Sequence, residues 1–274
     1  MKLTSLISNA KACFSLALLI CFAAHTFAQD EPNYSLWPQR PAELEKARHL
    51  ISKGELSEAI KLLQPLAAQA TIIGKEARDI IGALRIQQIL DPKSASIQKY
   101  TVRRGDSWIR MIKRMNCSQA LVMQLNGLMD VPSLKPGETY LYQKLDIRIV
   151  INTLDKELRL YENDNFVCAY PILAMKDTGK RNFETKLKAE QCSATIYQKH
   201  YASTDKTLLL AAGGYIIDKH KSGTIYTPGF YLSRQHCNEI AMLVRPGASV
   251  YIIREKNSST TPPTATNPAA TPQS

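Results

Sequence analysis

Apolar side chains fall at Leu44, Ala47, Leu50 and Ile51 between Glu43 and Lys53. After a break at Gly54 the same spacing resumes from Leu56 to Gln69 through Ala59, Ile60, Leu62, Leu63 and Leu66. Apolar residues three and four apart share one helical face, so this stretch predicts a helical hairpin. A third helix is expected from Gly74 to Leu90, ended by Asp91-Pro92. The pattern then changes. Tyr100-Thr101-Val102 alternates as a strand, Gly105-Asp106 turns the chain, and Ser107 can cap a helix bearing Trp108, Ile109, Met111, Ile112 and Met115. A second helix, Ser118 to Asn126, buries Leu121, Val122 and Leu125, and Leu134-Lys135-Pro136-Gly137-Glu138 turns into a strand at Thr139 to Tyr142. From Ile147 onward the period is two, with strands at Ile147 to Ile151, Glu157 to Tyr161 and Phe166 to Leu173. Turn-rich residues at Asn152 to Lys156 and Glu162 to Asn165 separate them. Later strands are expected at Ala194 to Gln198, Tyr215 to Ile217 and Ser249 to Arg254. The expected fold class is α+β.

The two ends read differently. Lys2 and Lys11, the apolar run Cys13 to Ala24 and the small-residue site Thr26-Phe27-Ala28 predict a secretory signal over residues 1–28, and so an exported protein of the periplasm or cell envelope. The run is well short of the roughly 20 residues of a spanning helix. Cys21 is an alternative lipidation site, although Ile20 stands where such sites want a small residue. Residues 256–274 are Ser, Thr, Pro, Ala and Asn with almost no apolar bulk and read as a disordered tail. Between the ends the pattern divides into a helical segment at 42–92, a small α/β module at 99–143 and a mainly β domain at 146–255.

Charge and cysteines narrow the chemistry. With 35 Lys and Arg against 24 Asp and Glu the formal charge is +11, which favours acidic partners such as cell-wall stem peptides or anionic lipids as much as it marks an ordinary solubilising surface. No basic run interleaved with aromatics sits on a nucleic-acid scaffold, so nucleic acid is not an expected partner. Of six cysteines, Cys13 and Cys21 belong to the signal; Cys117, Cys168, Cys192 and Cys237 remain, their spacing fixes no disulfide pairing, and no pair has the spacing of a zinc site. No cofactor or metal is expected.

Two segments resemble known families. Lys53 to Leu63 is similar to the middle of a tetratricopeptide repeat, which implies helices that pack on a neighbour or dock an envelope protein. Residues 100 to 142 resemble the LysM family along their whole length, through Tyr100-Thr101-Val102, Gly105-Asp106-Ser107, Ile109, Leu121, Asn126-Gly127-Leu128, Leu134, Pro136-Gly137-Glu138 and Leu141, with Trp108 where that family more often has Leu. The resemblance implies a shallow groove for N-acetylglucosamine glycans, usually peptidoglycan. Gly105, Asp106, Ser107 and Trp108 would line one side, and Asn126, Gly127, Leu128 and Met129 the other. Backbone amides suit the acetamido group and apolar surface suits its methyl. Asp106, Ser107 and Asn126 read equally well as turn and cap residues.

From about 146 to 254 the chain resembles the L,D-transpeptidase family at both ends, through Lys156, Leu158 and Leu160-Tyr161, and through Val244, Gly247, Val250 and Ile252. That family's active motif, Ser-His-Gly-Cys-Ile-Arg, pairs an imidazole with a nucleophilic thiol. Counted back from Gly247 it falls on Tyr226-Thr227-Pro228-Gly229-Phe230-Tyr231, which puts Gly229 at the nucleophile, Thr227 at the imidazole and Tyr231 at the arginine; Asp218-Lys219 replaces the upstream His-Gly. This predicts a domain that has kept its fold and lost transfer activity. The alternative is an active transpeptidase with Cys237 as nucleophile and His236 or His220 as base.

Overall fold

In the computed structural model, residues 41–176, 179, 182–192, 206–219 and 228–254 are described. Among the described residues three helices come first: α1 (Ala42–Ser52), α2 (Leu56–Ala67) and α3 (Ile72–Leu90). Thr71 caps α3 by accepting from the Gly74 amide at 3.0 Å, which starts the helix two residues before the expected Gly74. The buried faces of Leu44, Ala47, Ala59, Ile60, Leu63, Ala77 and Ile81 meet in one cluster, completed by Phe166 from a strand rather than by another repeat.

A small module follows: β1 (Gln98–Thr101), α4 (Trp108–Met115), α5 (Gln119–Leu125) and β2 (Thr139–Tyr142). β1 and β2 form an antiparallel pair with Thr101 opposite Thr139. β1 begins two residues earlier than the alternation suggests, and Val102 falls beyond its end.

The remaining elements are β3 (Ile147–Asn152), β4 (Glu157–Glu162), β5 (Asn165–Pro171), β6 (Ala174–Lys176), β7 (Phe183–Cys192), β8 (Lys206–Leu210), β9 (Tyr215–Asp218), β10 (Gly229–Leu232), α6 (Arg234–Leu243) and β11 (Ser249–Ile253). Among the described residues the strands make one nine-stranded sheet in the order β5-β4-β3-β11-β7-β8-β9-β10-β6. Most neighbours are antiparallel, but β11 runs parallel to β3 and β10 parallel to β9. The structure is therefore a mixture of helices and strands of the α+β kind. β7, β8 and β10 are strands that the alternation did not mark, and the expected strand Ala194 to Gln198 lies outside the described residues. The expected signal (1–28), Cys21 and the tail (256–274) lie outside them too. Among the described residues no helix is long and apolar enough to cross a membrane.

The three segments from residue 42 onward are packed as one unit. α3 lies on β5, where a Cβ added at Gly82 would come within 3.2 Å of the Cys168 Cβ. Both ends of the Gln64 amide bond the Phe166 backbone, at 3.1 and 3.3 Å. Arg78 donates to the carbonyls of Ala67 and Gln69 and reaches Glu157 of β4 at 3.1 Å, so a buried guanidinium fastens α2, α3 and the sheet together. In the small module, Leu121 and Leu125 of α5 belong to the sheet's core, and the Ser118 hydroxyl, which also caps α5, donates to the Met242 carbonyl at the end of α6.

Candidate functional site

The glycan positions expected in the small module divide into two sets. Gly105, Ser107, Gly127 and Met129 are exposed; Asp106, Trp108, Asn126 and Leu128 work inside the module. Trp108 is buried edge-on to Tyr140, their rings 6.0 Å apart at 81°, in a core with Met111, Met115, Val122 and Met123. The Asp106 carboxylate accepts from the Arg103 amide and the Tyr100 hydroxyl, both at 2.8 Å, and pairs with Arg114. The Arg103 amide bond, helped by Tyr100 and Arg114, holds its carboxyl below the ordinary carboxylate range. Asn126 is equally committed. Its Nδ2 donates to the carbonyls of Val122 (2.7 Å) and Leu141 (2.8 Å), and its Oδ1 accepts from the Leu141 amide (2.8 Å), which ties the end of α5 to β2.

What stays open is backbone and apolar surface. Gly105 (φ +83°) and Gly127 (φ +63°) take a conformation that side chains seldom adopt, and a Cβ at either would meet nothing within 4 Å. The amides of Gly105, Ser107 and Met129 make no hydrogen bond among the described residues. Beside these turns Met129 is 56% exposed and Ile109 49%. Ile109 is one of the apolar residues expected on this helix. It falls off the stripe of Trp108, Met111, Ile112 and Met115, and that offset was the signal that it faces out.

In the C-terminal domain, Pro228, Gly229 and Phe230 line a cavity of about 400 Å³ together with Phe183, Lys176 and Arg254. Gly229 pairs with Tyr215 across the parallel strands β10 and β9, and a Cβ there would sit 2.3 Å from the Tyr215 carbonyl oxygen. The nucleophile position of the counted motif thus has no room for a cysteine unless the strands part. Tyr231, at the arginine position, is wholly buried, and Asp218 is buried as well. Tyr226, Thr227 and His220 lie outside the described residues.

Cys237, the alternative nucleophile, lies on the core face of α6 with 0% of its surface exposed. A cysteine buried in apolar surroundings is ordinarily inert. Its neighbour His236 packs its ring 5.1 Å from that of Tyr170, and its buried Nδ1 has no hydrogen-bond partner among the described residues. Burial lowers its pKa. Cys117, Cys168 and Cys237 form no disulfide among the described residues, and burial pushes both Cys117 and Cys168 up to about 12; the side chain of Cys192 lies outside the described residues. Among the described residues no cluster of His, Cys, Asp or Glu could hold a metal ion.

No family model and no curated protein matches the sequence. Among solved structures the chain is similar to L,D-transpeptidase 1 of Mycobacterium tuberculosis, with a TM-score of 0.29 and 12% identity over 42% of this chain and 66% of that one, just under two thirds of its length. This is a weak structural likeness.

Proposed function

We propose that the chain is an exported cell-envelope protein whose module at residues 99–143 binds peptidoglycan through N-acetylglucosamine glycans, and whose domain at 146–255 resembles an L,D-transpeptidase without transfer activity. One observation carries the glycan reading. Two turns of the module, around Gly105 and Gly127, present the amides of Gly105, Ser107 and Met129, which make no hydrogen bond among the described residues, beside the exposed apolar side chains of Ile109 and Met129. An acetamido sugar offers a carbonyl to such amides and a methyl and ring C–H face to such side chains. The binding residues in this reading are Gly105, Ser107, Ile109, Gly127 and Met129, while Asp106, Trp108, Asn126 and Leu128 shape the turns. The close backbone contact at Gly229 and the sealed Cys237 favour a domain that does not form an acyl-enzyme.

The test is co-sedimentation of the purified protein with peptidoglycan sacculi. The parent protein pellets, and a double variant carrying Ile109→Asp and Met129→Asp stays largely in solution with its folding intact. A parent protein left wholly in the supernatant at low salt overturns the proposal. One small module binds weakly, so dense sacculi are a better ligand than a short free oligosaccharide.

A further inference from the structure

A separate groove lies on the helical segment. Ser57, Ile60, Lys61 and Gln64 stand three and four residues apart and form one stripe of α2; Arg85 and Gln88 do the same on α3, and Asn165 opens β5. Together they line a cavity of about 340 Å³, within the roughly 300–1,000 Å³ usual for small-ligand pockets. Its floor is the buried Ile60, and polar groups make up the rest of its wall.

Arg85 is the unusual member. Arg78, two turns earlier on α3, bonds two carbonyls and a carboxylate. Arg85 is half-buried, makes no hydrogen bond or ion pair among the described residues, and has its Nε sealed from solvent without a partner. The terminal guanidinium nitrogens, which are not sealed, are the ones a ligand in the groove can reach, and an acceptor beside them would complete hydrogen bonding that the described residues leave unmade. Glu162 feels the Arg85 charge but does not bond it, and its carboxyl is raised by burial rather than held down by the arginine. Gln64 is committed to the Phe166 backbone, which leaves Arg85, Lys61, Gln88, Ser57 and Asn165 facing the groove with hydrogen-bonding capacity.

We infer that this groove binds a peptide carboxylate. The planar guanidinium donates two parallel hydrogen bonds to a carboxylate, Lys61 adds a second positive charge at the rim, and the amides of Gln88 and Asn165 match a neighbouring peptide unit. With Glu162 close by, the local charge suits a singly charged carboxylate better than a doubly charged phosphate. This site is independent of the glycan reading and assigns the helices a ligand chemistry of their own.

The experiment titrates the full-length protein with the peptide acetyl-Ala-Glu-Ala and with its neutral counterpart, in which Gln and a C-terminal amide remove both carboxylates, followed by calorimetry. The acidic peptide is expected to bind at least about tenfold more tightly than the neutral one, an advantage that shrinks as salt rises. Arg85→Met is expected to abolish the difference without lowering the thermal midpoint, because the guanidinium holds nothing in the fold; Lys61→Met, at an exposed position, weakens acidic-peptide binding several-fold. Equal affinity of the two peptides, no binding of either, or an unchanged preference in both variants overturns the inference. If Arg85→Met instead lowers the midpoint, the guanidinium is structural and the inference likewise falls.

Discussion

At the scale of single residues, a polar side chain near a turn can serve the turn or a ligand, and hydrogen-bond partners decide between them. Asn126 spends both ends of its amide on Val122 and Leu141, and Asp106 spends its carboxylate on Arg103, Tyr100 and Arg114. Sequence gave both readings for these residues equal weight, because the same short polar side chains cap, turn and bind. The cysteines posed a similar ambiguity. His236 and Cys237 are adjacent in sequence, but on α6 the cysteine points into the core while the imidazole leans on Tyr170 at its margin. That packing has a pH signature. Burial depresses the folded pKa of His236 below its ordinary 6.5, so the unfolded chain takes up the proton first. Stability contributed by the neutral ring is therefore present above about 6.5 and is lost as pH falls toward the lower folded value. Glu162 and Glu239, raised by burial, act in the opposite sense as pH climbs above their ordinary 4.5, and they are common to parent and variant. Denaturant unfolding of the parent and of His236→Gln should give a difference that is flat above neutrality and shifts against the parent as pH drops through that window. A difference constant with pH would show the imidazole to be fully hydrated.

At the scale of elements, legibility followed burial on one face. The helices α1 to α3 were readable because each buries a single stripe, and β3 to β5 because they alternate or run apolar between clear turns. β7 was unreadable: in Phe183-Glu184-Thr185-Lys186-Leu187-Lys188 only Thr185 and Leu187 are buried, and charged residues occupy the other face. β10 is hidden differently: Gly229-Phe230-Tyr231-Leu232 is buried on both faces, so it shows no alternation. What lay beyond local pattern was the partner of each element. Nothing in the period of α3 says that Gly82 meets Cys168 of β5, yet this contact sets how closely the helices approach the sheet. Gly82→Val should push α3 outward at a cost of about 1–3 kcal/mol, seen as a lower denaturation midpoint and faster proteolysis between α1 and α3. A variant as stable as the parent would mean that the helices sit farther from the sheet in solution.

At the scale of the whole molecule, segments that read as separate domains share their interiors. Phe166 of the sheet completes the helical core, and Leu121 and Leu125 of the small module complete the sheet's core. Arg78 and Ser118 add polar ties across the same boundaries. A module that contributes side chains to another's core cannot unfold without exposing both, so calorimetry of the protein should show one cooperative transition, with equal calorimetric and van't Hoff enthalpies. Two resolved transitions would instead make the module an independent folding unit and the shared residues a loose contact.

The place of β11 has a consequence for how the chain is made. This strand is the last of the sheet to be synthesised, yet it sits between β3 and β7, near the middle of the nine. Until the ribosome has passed Ile253, the β5-β4-β3 hairpins and the β7-to-β6 half have no strand to join them. Both halves must wait with unpaired edges, the condition in which nascent chains most need chaperones. A premature stop between α6 and Ser249 therefore yields two half-sheets rather than a slightly shortened protein.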